Sequence, residues 1–257
     1  MKNWIYGINT VSEIIQSSPK SISEFCCLEN SKNPRLNKLC SMAEDKGITV
    51  NFINIGELNL RAKGNHQGVA VCCEMKETLS ERDLLSLVKQ HSADSLLLIL
   101  DGINDPHNFG ACLRSALAAG AHAVVIPKAR SVGVTPVVRK VACGAAEIVP
   151  IAVVPNLNRV IKRLKEEGIW IVGASSNSKA QLYDVDLKEP VGIILGGEEK
   201  GLRQSTERHC DIVCKIPMMN EVESLNVSVA TGIYLFETLR QRPVSYTHLT
   251  LPTTKNV

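Results

Sequence analysis

The sequence predicts an α/β protein whose larger part is a parallel sheet with helices on both faces, and three observations carry that prediction. Strand-length apolar runs recur at residues 95–100, 123–126, 149–153, 169–174, 191–195 and 211–216. Segments of helical pattern separate most of them, as at 156–167, where Asn156 caps the start and Gly168 marks the stop. The runs are apolar at nearly every position instead of alternating, so both faces of each strand must be covered.

The elements follow in order. Residues 11–16 read as a helix with Thr10 as N-cap, and 24–28 as a strand. A helix over 34–46 opens on Pro34, whose missing N–H is not needed in a first turn, and closes at Gly47. β-Branched residues make strands of 48–53 and 68–74, which completes a small α/β unit over residues 1–76. Residues 77–94 are more polar and acidic, contain one helix capped by Ser80, and read as a linker. The strand–helix repeats of 95–242 form the second unit, closed by a helix over 224–241 that stops before Pro243. Residues 243–257 show no helical or clean strand periodicity and are set aside as a tail, disordered or not native to the fold.

At 257 residues the chain has room for one large or two modest domains. No apolar run approaches the roughly 20 residues that span a bilayer. The N-terminus lacks the apolar core of a signal peptide, so a cytoplasmic protein without membrane association is expected. Nine cysteines and six histidines show no metal or disulfide spacing, which predicts buried thiols in a reducing compartment and no metal. The net charge of +3 is too weak to identify a nucleic-acid partner. Within 128–140, however, Lys128, Arg130, Arg139 and Lys140 stand without an acid, a pattern that fits a phosphate track and a solvated basic face equally well.

Ligands of parallel sheets bind in loops beyond the carboxyl ends of the strands, and three such loops carry chemistry-bearing residues. After 95–100, Asp105-Pro106 is turn chemistry and Asn108 is placed to cap the next helix. Arg114 in that helix stands above Gly110, where a missing side chain leaves space for the guanidinium or a ligand; a plain turn with a surface arginine fits as well. After 191–195, Gly196, Gly197 and Gly201 let the backbone approach a ligand closely, but they form neither the dinucleotide fingerprint nor a Walker loop. Glu198 among them is not required by turn geometry. In the third loop Ser224 reads as the N-cap of the last helix, whereas Asn226 has no capping duty.

The stretches DPHNFGACLRSALAAGAHAVVIPK, ILGGEEKG, and IPM followed by ESLNVSVATGIYLFE, in this order and separation, resemble the three motifs of the SpoU class of SPOUT RNA methyltransferases. Together with KVACGAAEIVP, WIYGINTV and NHQGVAV, the resemblance covers residues 4–242 and is strongest to bacterial enzymes acting on a guanosine ribose of 23S rRNA. It implies a deep trefoil knot in the catalytic domain, an L30e-like RNA-binding first domain, and a homodimer whose interface completes the site. It also implies S-adenosylmethionine as cofactor, held by Gly196, Gly197, Gly201, Ile216, Pro217, Met218 and Leu225. Carried across by motif, Asn108, Arg114, Glu198, Ser224 and Asn226 form the catalytic set; with RNA as the substrate, the basic residues Lys128, Arg130, Arg139 and Lys140 are a candidate phosphate track, led by Arg130 and Arg139. Gly197 and Lys200 depart from the common form of the glycine motif without removing a motif residue. A guanidinium stays protonated, so Arg114 suits a phosphate grip better than a base, and Glu198 or a water is the better proton acceptor. Two other readings stay open: a tRNA ribose methyltransferase, and an RNA-binding assembly factor with a decayed site, against which the intact motif residues argue.

Overall fold

The computed structural model describes residues 3–17, 19–62, 64–73, 77–198, 201–219 and 224–242, so the expectation for residues 243–257 lies outside the described residues. The first unit runs β1 (Asn3–Tyr6), α1 (Ile8–Ser17), β2 (Ile22–Leu28), α2 (Pro34–Asp45), β3 (Val50–Ile53), α3 (Ile55–Arg61) and β4 (Val69–Cys73). Its sheet has the order β1-β4-β2-β3, with β4 antiparallel to both neighbours and β3 parallel to β2. Helices α1 and α2 cover one face through Val11, Ile14, Ile15, Leu36 and Leu39, and α3 covers the other through Leu58. Thr10 lies inside α1 and does not cap it, because the helix already begins after Gly7, whose φ of +100° makes the turn out of β1.

The second unit runs α4 (Glu81–Gln90), β5 (Leu96–Asp101), α5 (Pro106–Ala118), β6 (Ala123–Pro127), α6 (Pro136–Ala142), α7 (Ala145–Ile148), β7 (Ile151–Val154) and α8 (Leu157–Glu166). It continues through β8 (Trp170–Ala174), β9 (Ala180–Gln181), β10 (Val191–Gly196), α9 (Gln204–Glu207), β11 (Ile212–Lys215) and α10 (Val227–Gln241). Among the described residues the strands form one sheet, β7-β6-β5-β10-β8-β11-β9, and every pairing in it is parallel. Alternation along β5 shows how both faces are used: Leu96, Leu98 and Leu100 pack with α5 and α10, and Leu97 and Ile99 pack with α4 and α8.

Residues 79–90 are more than a connector. Leu79 bridges Ala152 in β7, Ser80 and Asp83 form a reciprocal capping box, and Leu84, Leu85 and Val88 are buried against the sheet. Tyr234, buried in α10, donates its hydroxyl hydrogen to the Cys214 carbonyl and so ties the last helix to β11. Beyond the end of α10, the Arg242 guanidinium donates to the carbonyls of Asp94, Ser95, Leu187 and Glu189 at 2.7–3.2 Å. Seven of the nine cysteines are buried and none is in a disulfide. No helix among the described residues is long and apolar enough to cross a membrane.

Candidate active site

The carboxyl ends of β5 and β10 are neighbours, and the loops leaving them meet. Asp105 caps α5 by accepting from the N–H groups of His107 and Asn108, which corrects the expectation that Asn108 is the cap. Asn108 is released from that duty and sits in the first turn with its amide directed at the neighbouring loop. Its Nδ2 donates to Glu198, and its Oδ1 accepts from Asn226 Nδ2 at 3.0 Å. The roles of Ser224 and Asn226 are likewise exchanged relative to the sequence reading: α10 begins at Val227 and Asn226 is its N-cap, while Ser224 lies exposed before it.

This exchange fixes the direction of the whole chain of amides. Asn226 Oδ1 accepts from the Ser228 backbone N–H at 2.9 Å and from its hydroxyl at 2.6 Å. A backbone N–H can only donate, so Asn226 must turn its oxygen to Ser228 and its NH2 to Asn108. Asn108 must then offer its own NH2 to Glu198. The relay runs Asn226, Asn108, Glu198, and ends on a carboxylate whose second oxygen accepts from no other side chain among the described residues. Ser228, which the sequence reading did not single out as a site residue, sets this polarity; a serine two residues after an asparagine at a helix start is the signal.

The glycines serve the chain before they serve a ligand. A Cβ on Gly196 falls on the backbone of Gly201 and Leu202, and one on Gly197 lies 2.6 Å from the Gly102 carbonyl oxygen. Gly196→Ala is therefore expected to destabilise by about 1–3 kcal/mol or more through overpacking. Thermal unfolding that matches wild type would show that the crossing segment can step aside. The loop is closed by Gly201 N–H donating to the Gly197 carbonyl at 2.9 Å. Gly110 corrects the expectation of empty space beside Arg114: a Cβ there would lie 2.7 Å from Val141 Cβ, so the glycine lets α5 and α6 touch. Ile216, Met218 and Leu225 are half-buried and Pro217 is exposed, at the ends of β11 and at the approach to α10.

Arg114 is not gathered with the amide relay. It is exposed on another face of α5, in a groove of about 500 Å³ that it shares with Glu13, Ser115, Ala118, Ala145 and Phe236. Of the basic stretch, Lys128 and Arg130 are exposed just beyond β6, on the same edge of the sheet as the relay. Arg139 corrects the expectation of a phosphate contact: it is 5% exposed and ion-paired with Glu147, itself 5% exposed. Lys140 places its ammonium over the Tyr6 ring, 5.5 Å from the centroid, and so faces the first unit.

One group among the described residues, His91, Asp94 and His122, brings metal-ligating atoms within 4.8 Å of one another. His122 Nδ1 accepts from the Leu96 N–H at 3.0 Å, so the neutral ring carries its hydrogen on Nε2, toward Asp94 Oδ2 at 3.8 Å. Burial, and then the neighbouring His91, hold the His122 pKa below its usual value. A ring fixed in that tautomer turns a donor toward Asp94 and does not fit a cation there.

Residues 95–236 match the SpoU rRNA Methylase family, and residues 4–79 match the family described as RNA 2'-O ribose methyltransferase substrate binding. The chain belongs to the SpoU rRNA methylase family. It is 49% identical over 238 residues to the 23S rRNA (guanosine-2'-O-)-methyltransferase RlmB of Coxiella burnetii, covering 93% of this chain and 95% of that protein. RlmB of Xanthomonas axonopodis pv. citri is 46% identical over 240 residues, covering 93% and 96%. The crystal structure of the SpoU methyltransferase AviRb from Streptomyces viridochromogenes, in complex with AdoMet, has a TM-score of 0.73 at 22% identity over 93% of this chain and 89% of that one. At that identity the likeness concerns the fold alone.

Proposed function

We propose that this chain transfers a methyl group from S-adenosylmethionine to the 2′-hydroxyl of a guanosine ribose in 23S rRNA, the reaction for which its RlmB relatives are named. The observation that carries this reading is the directional relay that ends on Glu198. When bound, S-adenosylmethionine supplies the methyl group as an electrophilic sulfonium. The half-buried apolar side chains of Ile216, Met218 and Leu225, with Pro217, fit the flat adenine of this ligand, and the bare backbone of Gly196, Gly197 and Gly201 offers polar groups to the rest of it. A ribose hydroxyl is a weak acid, so the nucleophile needs a proton acceptor at the moment of attack. Glu198 accepts that proton on the oxygen that Asn108 leaves open, while Asn226 and Ser228 hold Asn108 in place.

Arg114 grips the phosphate beside the target ribose and stabilises the negative charge growing on its oxygen. Its separation from the relay within one chain supports a homodimer in which one copy lends Arg114 to the relay of the other. Val229 and Phe236, 50% and 47% exposed on α10, give that second copy an apolar seat beside the groove. Residues 1–76 act as the L30e-like RNA-binding domain, supported by the substrate-binding match, with 77–94 leading into a methyltransferase domain over 95–242. A trefoil knot in that domain is supported by the match to the SpoU rRNA Methylase family, with α10 packed back on α5. Lys128 and Arg130 lead the phosphate track, with Lys140 behind them, in a cytoplasmic enzyme.

The test is transfer of a labelled methyl group to unmodified 23S rRNA, with tRNA alongside. Label on one guanosine ribose of 23S rRNA is expected, and label on tRNA alone would overturn the substrate. Arg114→Lys is expected to lose at least tenfold, because an ammonium cannot make the paired contact of a guanidinium with phosphate. Mixing inactive Arg114→Ala with inactive Glu198→Gln should restore about a quarter of wild-type activity, since half the dimers are mixed and each has one whole site. No recovery on mixing would mean that Arg114 serves its own chain.

A further inference from the structure

We propose that Asp101 is a positioning residue for Glu198, latching both ends of the glycine loop to the strand that leads into Asn108. The proposal rests on the role given above to Glu198. Asp101 ends a strand otherwise made of leucine and isoleucine, and its side chain is 0% exposed. A carboxylate in such a place is retained only where both oxygens are used. Here one accepts from the Arg203 guanidinium and the other from the Thr206 hydroxyl at 2.7 Å, with Thr206 itself buried.

The two donors lie where the chain has just left the loop: Leu202 is followed directly by Arg203, and Thr206 sits in α9. The loop's entry is held at the same point. Gly196, the last residue of β10, is the register partner of Asp101, and Gly197 lies against the carbonyl of Gly102. Asp101 therefore fixes where the loop carrying Glu198 begins and where it ends. The Asp101 side chain holds the exit of the loop and its backbone the entry, and four residues later Asp105 caps α5 and sets Asn108, so both partners of the Asn108–Glu198 bond are measured from the end of β5. A displacement of about 1 Å at a reacting group can cost about a hundredfold in rate. Within the loop the described restraint is the Gly201 N–H to Gly197 carbonyl bond, and three glycines leave its backbone free of side-chain limits.

Asp101→Asn keeps the shape but removes the charge that faces Arg203, and the Thr206 hydroxyl must turn its hydrogen to Asn158 to accept from the new NH2. The measurement is kcat and KM for methylation of 23S rRNA by the full chain, in wild-type and Glu198→Gln backgrounds. In the wild-type background kcat is expected to fall about 10- to 100-fold, with KM for RNA within about twofold. Arg203→Ala should behave alike, and Arg203→Lys, which keeps a cation beside Asp101, should recover most of the loss. In the Glu198→Gln background the Asp101→Asn change should cost nothing further, because the group it positions no longer acts. An equal loss in both backgrounds, a change in KM alone, or no loss at all overturns the proposal while leaving Glu198 in its role. Full activity of Glu198→Gln by itself overturns that role and the proposal with it. If Asp101→Asn does not fold, Thr206→Val frees one oxygen without stranding a charge and carries the same comparison.

Discussion

Arg139→Ala is expected to destabilise the protein by about 3–5 kcal/mol, and to leave the salt dependence of RNA binding unchanged. The substitution leaves the Glu147 carboxylate, 5% exposed, without its counter-charge in a packed interior. Among the groups around Cys73, whose thiol burial pushes up to about 12, are both Glu147 and Arg139, so the pair lies where the two units meet. For a chain of this size the expected loss is a fall in melting temperature of roughly 10 °C. Arg139→Met combined with Glu147→Leu should recover most of it, because two apolar side chains of similar volume need no partner. A fall in RNA affinity and salt slope at unchanged melting temperature would return Arg139 to the phosphate track.

Glu198→Gln is expected to reduce kcat by about 10²–10⁴-fold while leaving S-adenosylmethionine affinity near wild type. Glutamine still offers an oxygen to the Asn108 amide, so the relay keeps its partners and its direction. What it cannot do is take a proton. The variant therefore separates positioning from proton acceptance, which truncation to alanine would confuse. Near-normal turnover in Glu198→Gln would assign the proton to water and leave Glu198 as an anchor for Asn108. The same variant crystallised or studied in solution should unfold at the wild-type temperature, since Glu198 is exposed.

The sheet was legible because every strand of its centre is an apolar run, and burial on both faces leaves no other composition open. The first unit was legible only in part. β1 (Asn3–Tyr6) and α3 (Ile55–Arg61) were not anticipated: each is short, and their apolar residues are too few for a period to stand out. The cap of α10 lies two residues later than the sequence suggests because Ser224 and Asn226 are both good caps, and only the partner of each decides. That partner is distant in sequence: Asn108 lies 118 residues from Asn226 and 90 from Glu198. Motif resemblance collected these residues without their geometry. Arg139 was misread for a related reason, since charge in a sequence reads as surface. The sign against it was Glu147, a single acid in the otherwise apolar stretch 145–149. Asp101 carried the same sign at the end of β5.

The cluster of carbonyls around Arg242 gives the molecule a mechanical anchor. Its four acceptors lie at the amino-terminal edge of the sheet, before β5 and before β10. The relay stands at the opposite edge, about 20 Å away along strands of six residues. A load applied beyond residue 242 is shared between the backbone of α10 and that guanidinium, which spreads its part over the two segments before β5 and β10. A surface tether attached there is held at the edge of the sheet away from the relay, with α10 running from one to the other.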